Sequence, residues 1–353
     1  MRNEKLLLAL FAAASVFGGC KGHHDALAPD GGAGGASASA SKSASVTSSS
    51  STGAGGEAPI QEPDVPTRFT FVNGVVDAPV VRFCFAPYPG GGPDRAPFPA
   101  AGLAFGSAYH APVGTADVPA SDALVLVITG TPPPSATCAD LTSDPGSYPD
   151  VTLVEMGLVP AAAITMKRSF LVVADGCVGG VTHTDPLETQ ICGATYTPTN
   201  PTLGLAFLPM SLLDDEKHIA ISYVNAVAAM TKANVWLLPG FDGVAPVPIV
   251  NGGPFGGAAP YPPNVKIEVS DVGAVSAAGV GSAVNPAPAP APSANVPLES
   301  ALAASGLSGV AVSNGRSLAL VGIGAAPGTP PAADAWWKSY TVVAVDPAKV
   351  VTE

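Results

Sequence analysis

The chain has 353 residues, a formal net charge of −12 and only 12% charged residues, alongside 40 glycines and 38 prolines. That acidic balance excludes a nucleic-acid partner, which requires a basic stripe, and gives no electrostatic pull toward anionic lipid. Abundant Gly, Pro and Val with few long charged helix formers favour short strands joined by turns, and the length suffices for two domains with a core each.

In chain order, Arg2 and Lys5 precede an apolar run from Leu6 to Phe17 that ends in Gly18-Gly19-Cys20. A short positive region, an apolar core too short to span a bilayer and a small-residue cleavage site make a secretory signal, residues 1–19. A cysteine directly after that site resembles the lipobox of bacterial lipoproteins, where the thiol is acylated and becomes the mature N-terminus. Phe17 departs from the usual leucine of that motif. The resemblance implies that Cys20 is the lipidated residue and that the membrane is a partner through an N-terminal acyl anchor. Lys21 stands where an aspartate would signal inner-membrane retention, so the expected address is the outer membrane or cell surface. Two or three acyl chains would hold stably where one is marginal.

Residues 20–66 are mostly Gly, Ala and Ser, with Ser48-Ser49-Ser50-Ser51 and Gly31-Gly32-Ala33-Gly34-Gly35 among them. Such a segment cannot bury enough apolar surface to offset the ordering of its backbone, and is expected to be a disordered tether. As a flexible coil of roughly forty residues it reaches about 35 Å on average. His23-His24-Asp25 within it reads as solvated tail rather than a metal site.

Beyond the tether the pattern becomes that of strands. Phe69, Phe71 and Asn73 alternate with Thr70 and Val72, the period of a strand with one buried face. Val80-Val81-Arg82-Phe83-Cys84-Phe85 predicts a second strand, and Gly90-Gly91-Gly92, with no lysine and helix behind it, a turn rather than a phosphate loop. Leu124 to Thr129 is nearly continuous apolar, as expected of a central sandwich strand. Ala233 to Leu238 and Val265 to Val269 read as further strands, and Leu298 to Leu307 as the one modest helix. No long helical pattern exists to cross over between parallel strands, so the expected fold is all-β, with antiparallel sandwiches.

Setting Cys20 aside leaves Cys84, Cys138, Cys177 and Cys192, an even set suited to disulfides in an oxidising compartment. Four cysteines allow three pairings, which sequence alone does not decide; the nearest-neighbour choice is Cys177 with Cys192 and Cys84 with Cys138. A metal site would want tighter spacing and partnering histidines. His183 and Asp185 lie in the loop between Cys177 and Cys192, yet no Gly-x-Ser-x-Gly elbow accompanies them, and a solvated loop pair is the expected reading. Asp214-Asp215-Glu216 lacks the spaced carboxylates of a calcium loop and reads as a linker. The Pro-Ala run from Asn285 to Pro292 reads as an extended spacer. Trp336-Trp337 with Tyr340 is the one cluster placed to contact a ligand, because exposed rings stack on sugars or anchor partners. In an alternating strand one of the two tryptophans would be core and the other exposed.

Three segment pairs recur in the same order at a nearly constant separation. Phe69-Thr70-Phe71-Val72-Asn73 reads like Ile221-Ser222-Tyr223-Val224-Asn225. Phe105-Gly106-Ser107-Ala108 matches Phe255-Gly256-Gly257-Ala258, and Arg168-Ser169-Phe170-Leu171-Val172-Val173 matches Arg316-Ser317-Leu318-Ala319-Leu320-Val321. They indicate two copies of one domain, 67–212 with all four cysteines and 213–353 with none.

The segment Phe71 to Val81, with its Asp77-Ala78-Pro79 corner, resembles the opening of an extracellular bacterial repeat family catalogued as domain of unknown function 4397. Phe105-Gly106-Ser107-Ala108-Tyr109 is similar to that family's next signature, and Arg168 to Val173 to its closing strand. The second copy departs, with Ala229-Met230-Thr231 in place of the corner and Ala259 in place of the tyrosine. The resemblance implies two tandem immunoglobulin-like sandwiches in a surface protein, with no established activity. The expected role is therefore non-enzymatic, structural or interactive, at the cell envelope, without cofactor or metal, its partner an envelope protein or glycan. A carbohydrate- or peptide-binding adhesin is the alternative, and a hydrolase with an unrecognised site the third.

Overall fold

In the computed structural model the β-branched and aromatic runs become strands wherever they meet a Gly, Pro or Asx turn. The structure describes residues 67–88, 94–114, 117–164, 169–180, 183, 187–210, 219–238, 246–259, 265–267, 273–279, 294–307, 317–329, 331 and 335–346. The signal, Cys20, the tether with His23 and His24, the glycines at 90–92, Asp185, the acidic run 214–216 and the Pro-Ala spacer all lie outside them, as does the expected domain boundary at 212/213.

The first eight strands are β1 (Arg68–Asn73), β2 (Val80–Pro87), β3 (Phe98–Ala104), β4 (Ala108–Pro112), β5 (Ala123–Gly130), β6 (Val151–Val159), β7 (Ser169–Asp175) and β8 (Gly204–Met210). They form two sheets, ordered β4-β1-β7-β8 and β3-β2-β5-β6. Short helices α1 (Cys138–Ser143), α2 (Ala161–Ile164) and α3 (Glu188–Cys192) lie in the connections. Thr137 starts α1 with a capping box, its side chain accepting from Asp140 N while the Asp140 carboxylate accepts from Thr137 N.

The remaining strands are β9 (Ile219–Asn225), β10 (Lys232–Leu238), β11 (Val247–Pro254), β12 (Ala258–Ala259), β13 (Val265–Ile267), β14 (Ala274–Gly279), β15 (Ala294–Pro297), β16 (Ser317–Ile323) and β17 (Thr341–Val345). Their sheets run β12-β9-β16-β17, with β13 also on β9, and β11-β10-β14-β15. Strand for strand, this is the order of the first two sheets. Helix α4 (Leu298–Ala304) follows β15 and ends earlier than the apolar pattern to Leu307 implies. Leu307 instead folds back under it, its N–H donating to Leu302 O at 2.9 Å, and is buried.

The expectation of purely antiparallel sheets is corrected. β1 pairs with β7 in parallel, Phe71 opposite Val172, and β9 pairs with β16 in parallel, Tyr223 opposite Leu320. A parallel pair needs a long crossover, which helices usually supply. Here the intervening strands of the facing sheet make that crossing, so the absence of long helices does not forbid it.

Between the first two sheets lies a core of Phe69, Phe71, Phe83, Phe85, Phe98, Val125, Val127, Phe170 and Val172. Its rings pack closely, Phe71 against Phe83 at 4.8 Å and against the edge of Phe98 at 5.1 Å. The second two sheets enclose Ile221, Tyr223, Val235, Leu237, Val275, Leu320 and Val342. A third core joins the halves: Val72, Leu171, Val173 and Met210 meet Val224, Val321, Ile323, Val343 and Val345. The four sheets are thus stacked, and β1, β7, β9 and β16 are buried on both faces. This corrects the reading of β1 as half-buried. Its Val72 face has left water against the second half, where each such side chain contributes about 1.5–3 kcal/mol.

Each half repeats the same corner. Asn73 Nδ2 donates to Leu103 O at 3.0 Å and Ala78 O at 3.5 Å, while its Oδ1 accepts from Val75 N at 3.0 Å. Asn225 Nδ2 donates to Met230 O at 2.8 Å and Gly253 O at 3.4 Å, and its Oδ1 accepts from Val227 N at 3.3 Å. Gly176 after β7 and Gly324 after β16 both have positive φ, +83° and +94°, and a Cβ on either would stand 2.2 Å from a backbone oxygen, Thr202 O or Ser339 O. Only glycine fits there.

Candidate functional site

The Asp77-Ala78-Pro79 corner ends the turn between β1 and β2 at one end of the first half. Proline sets the chain direction into β2, and the buried Asp77 carboxylate is fixed from behind. Its Oδ1 accepts from Val178 N at 2.9 Å and its Oδ2 from Gly179 N at 2.8 Å. Those donors belong to the loop that follows β7, closed by the Cys177–Cys192 disulfide. The same loop carries His183, whose Nδ1 lies 3.4 Å from the Tyr196 hydroxyl and 3.6 Å from Asp77 Oδ2. Burial, reinforced by the charges of Glu188 and Asp77, raises the Tyr196 pKa, so its hydroxyl stays a donor.

A pocket of about 400 Å³ opens over this corner. Its walls are Asp77 to Val80, the β5 end Thr129-Gly130-Thr131, Thr152 of β6, and Val178, Gly179 and His183. Thr129 and Thr152 are cross-strand partners, and Thr129 also sits opposite Val81 of β2, so one end of three adjacent strands supplies the floor and rim. Beyond His183 stands Trp336, its ring stacked on the imidazole at a centroid distance of 4.0 Å.

Several residues singled out from sequence are placed differently from expectation. Trp336 and Trp337 lie in a bend before β17, not in an alternating strand, so both turn toward one junction cluster with Val76, Cys177, Ile191, Cys192, Tyr196 and Ala325. Trp337 is buried and Trp336 half-buried. Tyr340 is buried in the second half, its hydroxyl 3.2 Å from that of Tyr223. Neither Trp337 nor Tyr340 presents a ring to solvent. The cysteines form the nearest-neighbour pairs: Cys84–Cys138 ties β2 to α1, and Cys177–Cys192 ties the β7 exit to α3. The expectation of a solvated His183 is corrected: the residue is buried and lies 3.6 Å from Asp77, which comes from the β1–β2 turn. Sequence reasoning read Asp77 only as part of a corner and overlooked the threonines; the Asp-Ala-Pro motif was the one available signal.

Among the described residues the side-chain contacts of His183 are a carboxylate, a phenol and an indole, which orient the ring. Among the described residues no group of three or more His, Cys, Asp or Glu is placed to hold a metal ion, and no helix is long and apolar enough to cross a membrane. No family model matches the chain, and no curated protein matches it.

Proposed function

We propose that the chain is a lipid-anchored protein of the cell envelope whose β-rich head serves a non-enzymatic structural or interaction role. In this reading Cys20 carries the acyl chains and residues 20–66 hold the head away from the outer membrane or cell surface. The two disulfides are the observation that carries the proposal, because such bonds form and persist in oxidising, exported compartments. The head is read as two divergent immunoglobulin-like copies, a kinship with the repeat family that the repeated strand order, the paired Asn73 and Asn225 corners and the paired Gly176 and Gly324 turns support. The shared apolar core between the halves suits a rigid spacer or docking body better than two independently moving modules.

Photocrosslinking in intact cells, followed by identification of the neighbours, tests the role. The proposal expects reproducible envelope proteins or glycans; cytosolic neighbours alone would contradict it.

A further inference from the structure

We propose that the pocket walled by Asp77 to Val80, Thr129 to Thr131, Thr152 and His183 binds a neutral, hydroxyl-rich ligand, a short saccharide. The inference goes beyond the envelope role and does not depend on where the chain is anchored.

The chemistry of the walls decides the ligand class. Among the described residues no Lys or Arg lines the pocket, so an anionic ligand such as a phosphate finds no counter-charge among them. Among the described wall residues Asp77 is the one carboxylate, and each of its oxygens already accepts a backbone N–H, from Val178 and Gly179. What remains is three threonines, Thr129, Thr131 and Thr152, whose hydroxyls can each donate and accept, beside the His183 imidazole. The Nδ1 of that ring is turned to Tyr196 and Asp77, and among the described residues no hydrogen bond engages Nε2, the nitrogen we assign to the ligand. Pro79, Val80 and Val178 add the apolar surface that the C–H face of a sugar ring covers. The volume of about 400 Å³ falls in the range of pockets that enclose small molecules.

The pocket is also fixed before any ligand arrives. The Cys177–Cys192 disulfide, the Asp77 hydrogen bonds and the stack of His183 on Trp336 each restrain one wall. Little ordering is therefore left to oppose binding. The stack provides a reporter, since a ligand against His183 alters the surroundings of Trp336.

The test is a tryptophan-fluorescence titration of the purified full chain with glucose, galactose, N-acetylglucosamine and their disaccharides, with inorganic phosphate in parallel. The expected result is a saturable change with at least one saccharide and none with phosphate. Thr131→Val combined with Thr152→Val should weaken that response about tenfold, the loss expected for hydrogen bonds of this kind. Both threonines are exposed, so the double variant should melt like the parent. His183→Gln is the second variant, expected to weaken binding while keeping a polar group in the wall. No saturable response to any saccharide, a response to phosphate, or an unchanged affinity in a folded double variant would each overturn the proposal.

Discussion

The imidazole of His183 lies face to face with the indole of Trp336, their centroids 4.0 Å apart and their planes 21° from parallel. The two residues belong to opposite halves of the molecule, so this stack is a contact across the junction. Below it the edge of Trp336 meets Trp337 at 5.2 Å, and the N–H of Lys338 donates to Val76 O at 3.1 Å. The segment before β17 is thereby laid against the disulfide-closed loop and the Asp77 corner of the first half. The pocket and the junction share a wall.

Truncation should separate the two tryptophans. Trp337→Ala removes a buried ring from the junction cluster and should destabilise the head by about 3–5 kcal/mol, the range for large-to-small changes in a core. Trp336→Ala, which removes a half-buried ring, should cost visibly less. Urea unfolding of the two variants, compared by midpoint at a common slope, checks this order.

Opening either disulfide should weaken the fold, and the longer loop more. In the chain-entropy model the Cys177–Cys192 link, with a separation of 15, is worth about 3 kcal/mol. The Cys84–Cys138 link, with a separation of 54, is worth about 4 kcal/mol on the same model. Paired Cys→Ser variants measured by urea unfolding test the ranking, and free thiols in the untreated protein would contradict both bonds.

Stability should fall as pH rises from about 4 to about 7, because of Asp175. Its carboxyl is buried at the end of β7 over Gly204, and desolvation pushes its pKa from 3.8 up to about 7. Between those values the folded state keeps a proton that the unfolded chain has already released, so stability declines with pH. The contribution is fully present below the unfolded value and is lost as pH passes the folded one, about 4 kcal/mol for a shift of this size. Asp175→Asn should remove that slope and raise stability at alkaline pH, read from melting curves taken at several pH values.

The two asparagine corners should respond alike. Asn73→Ala and Asn225→Ala each leave two carbonyls and one N–H without the side chain they meet. Each should cost about 2–4 kcal/mol, given the penalty for stranding buried polar groups. A strong loss at one and none at the other, by chemical unfolding, would argue against equivalent corners.

Strand positions were legible because the apolar runs are short and bounded by turn residues: Ala123–Gly130 and Ser169–Asp175 fall where the sequence places them. The stacking of the halves was not, although Leu171-Val172-Val173 is apolar on both faces, the pattern of a doubly buried strand. A continuous run states that both faces are covered, but not by what. Parallel pairing of β1 with β7 was hidden for a similar reason, since direction depends on the path between them. At the site, a loop position read as solvent-exposed for His183, whereas the fold brings Asp77 to that loop and buries the imidazole. The tryptophan pair misled because alternation holds in strands, and Trp336-Trp337 form a bend.

The central claim is an exported head held by an acyl anchor, and Cys20 tests it most directly. Mass spectrometry of the N-terminal peptide from cells producing the full chain should find Cys20 as the first residue, carrying acyl chains. Cys20→Ser should move the protein from the membrane fraction to the soluble one. An unmodified Cys20, or a parent protein already soluble in the cytosol, would contradict the account.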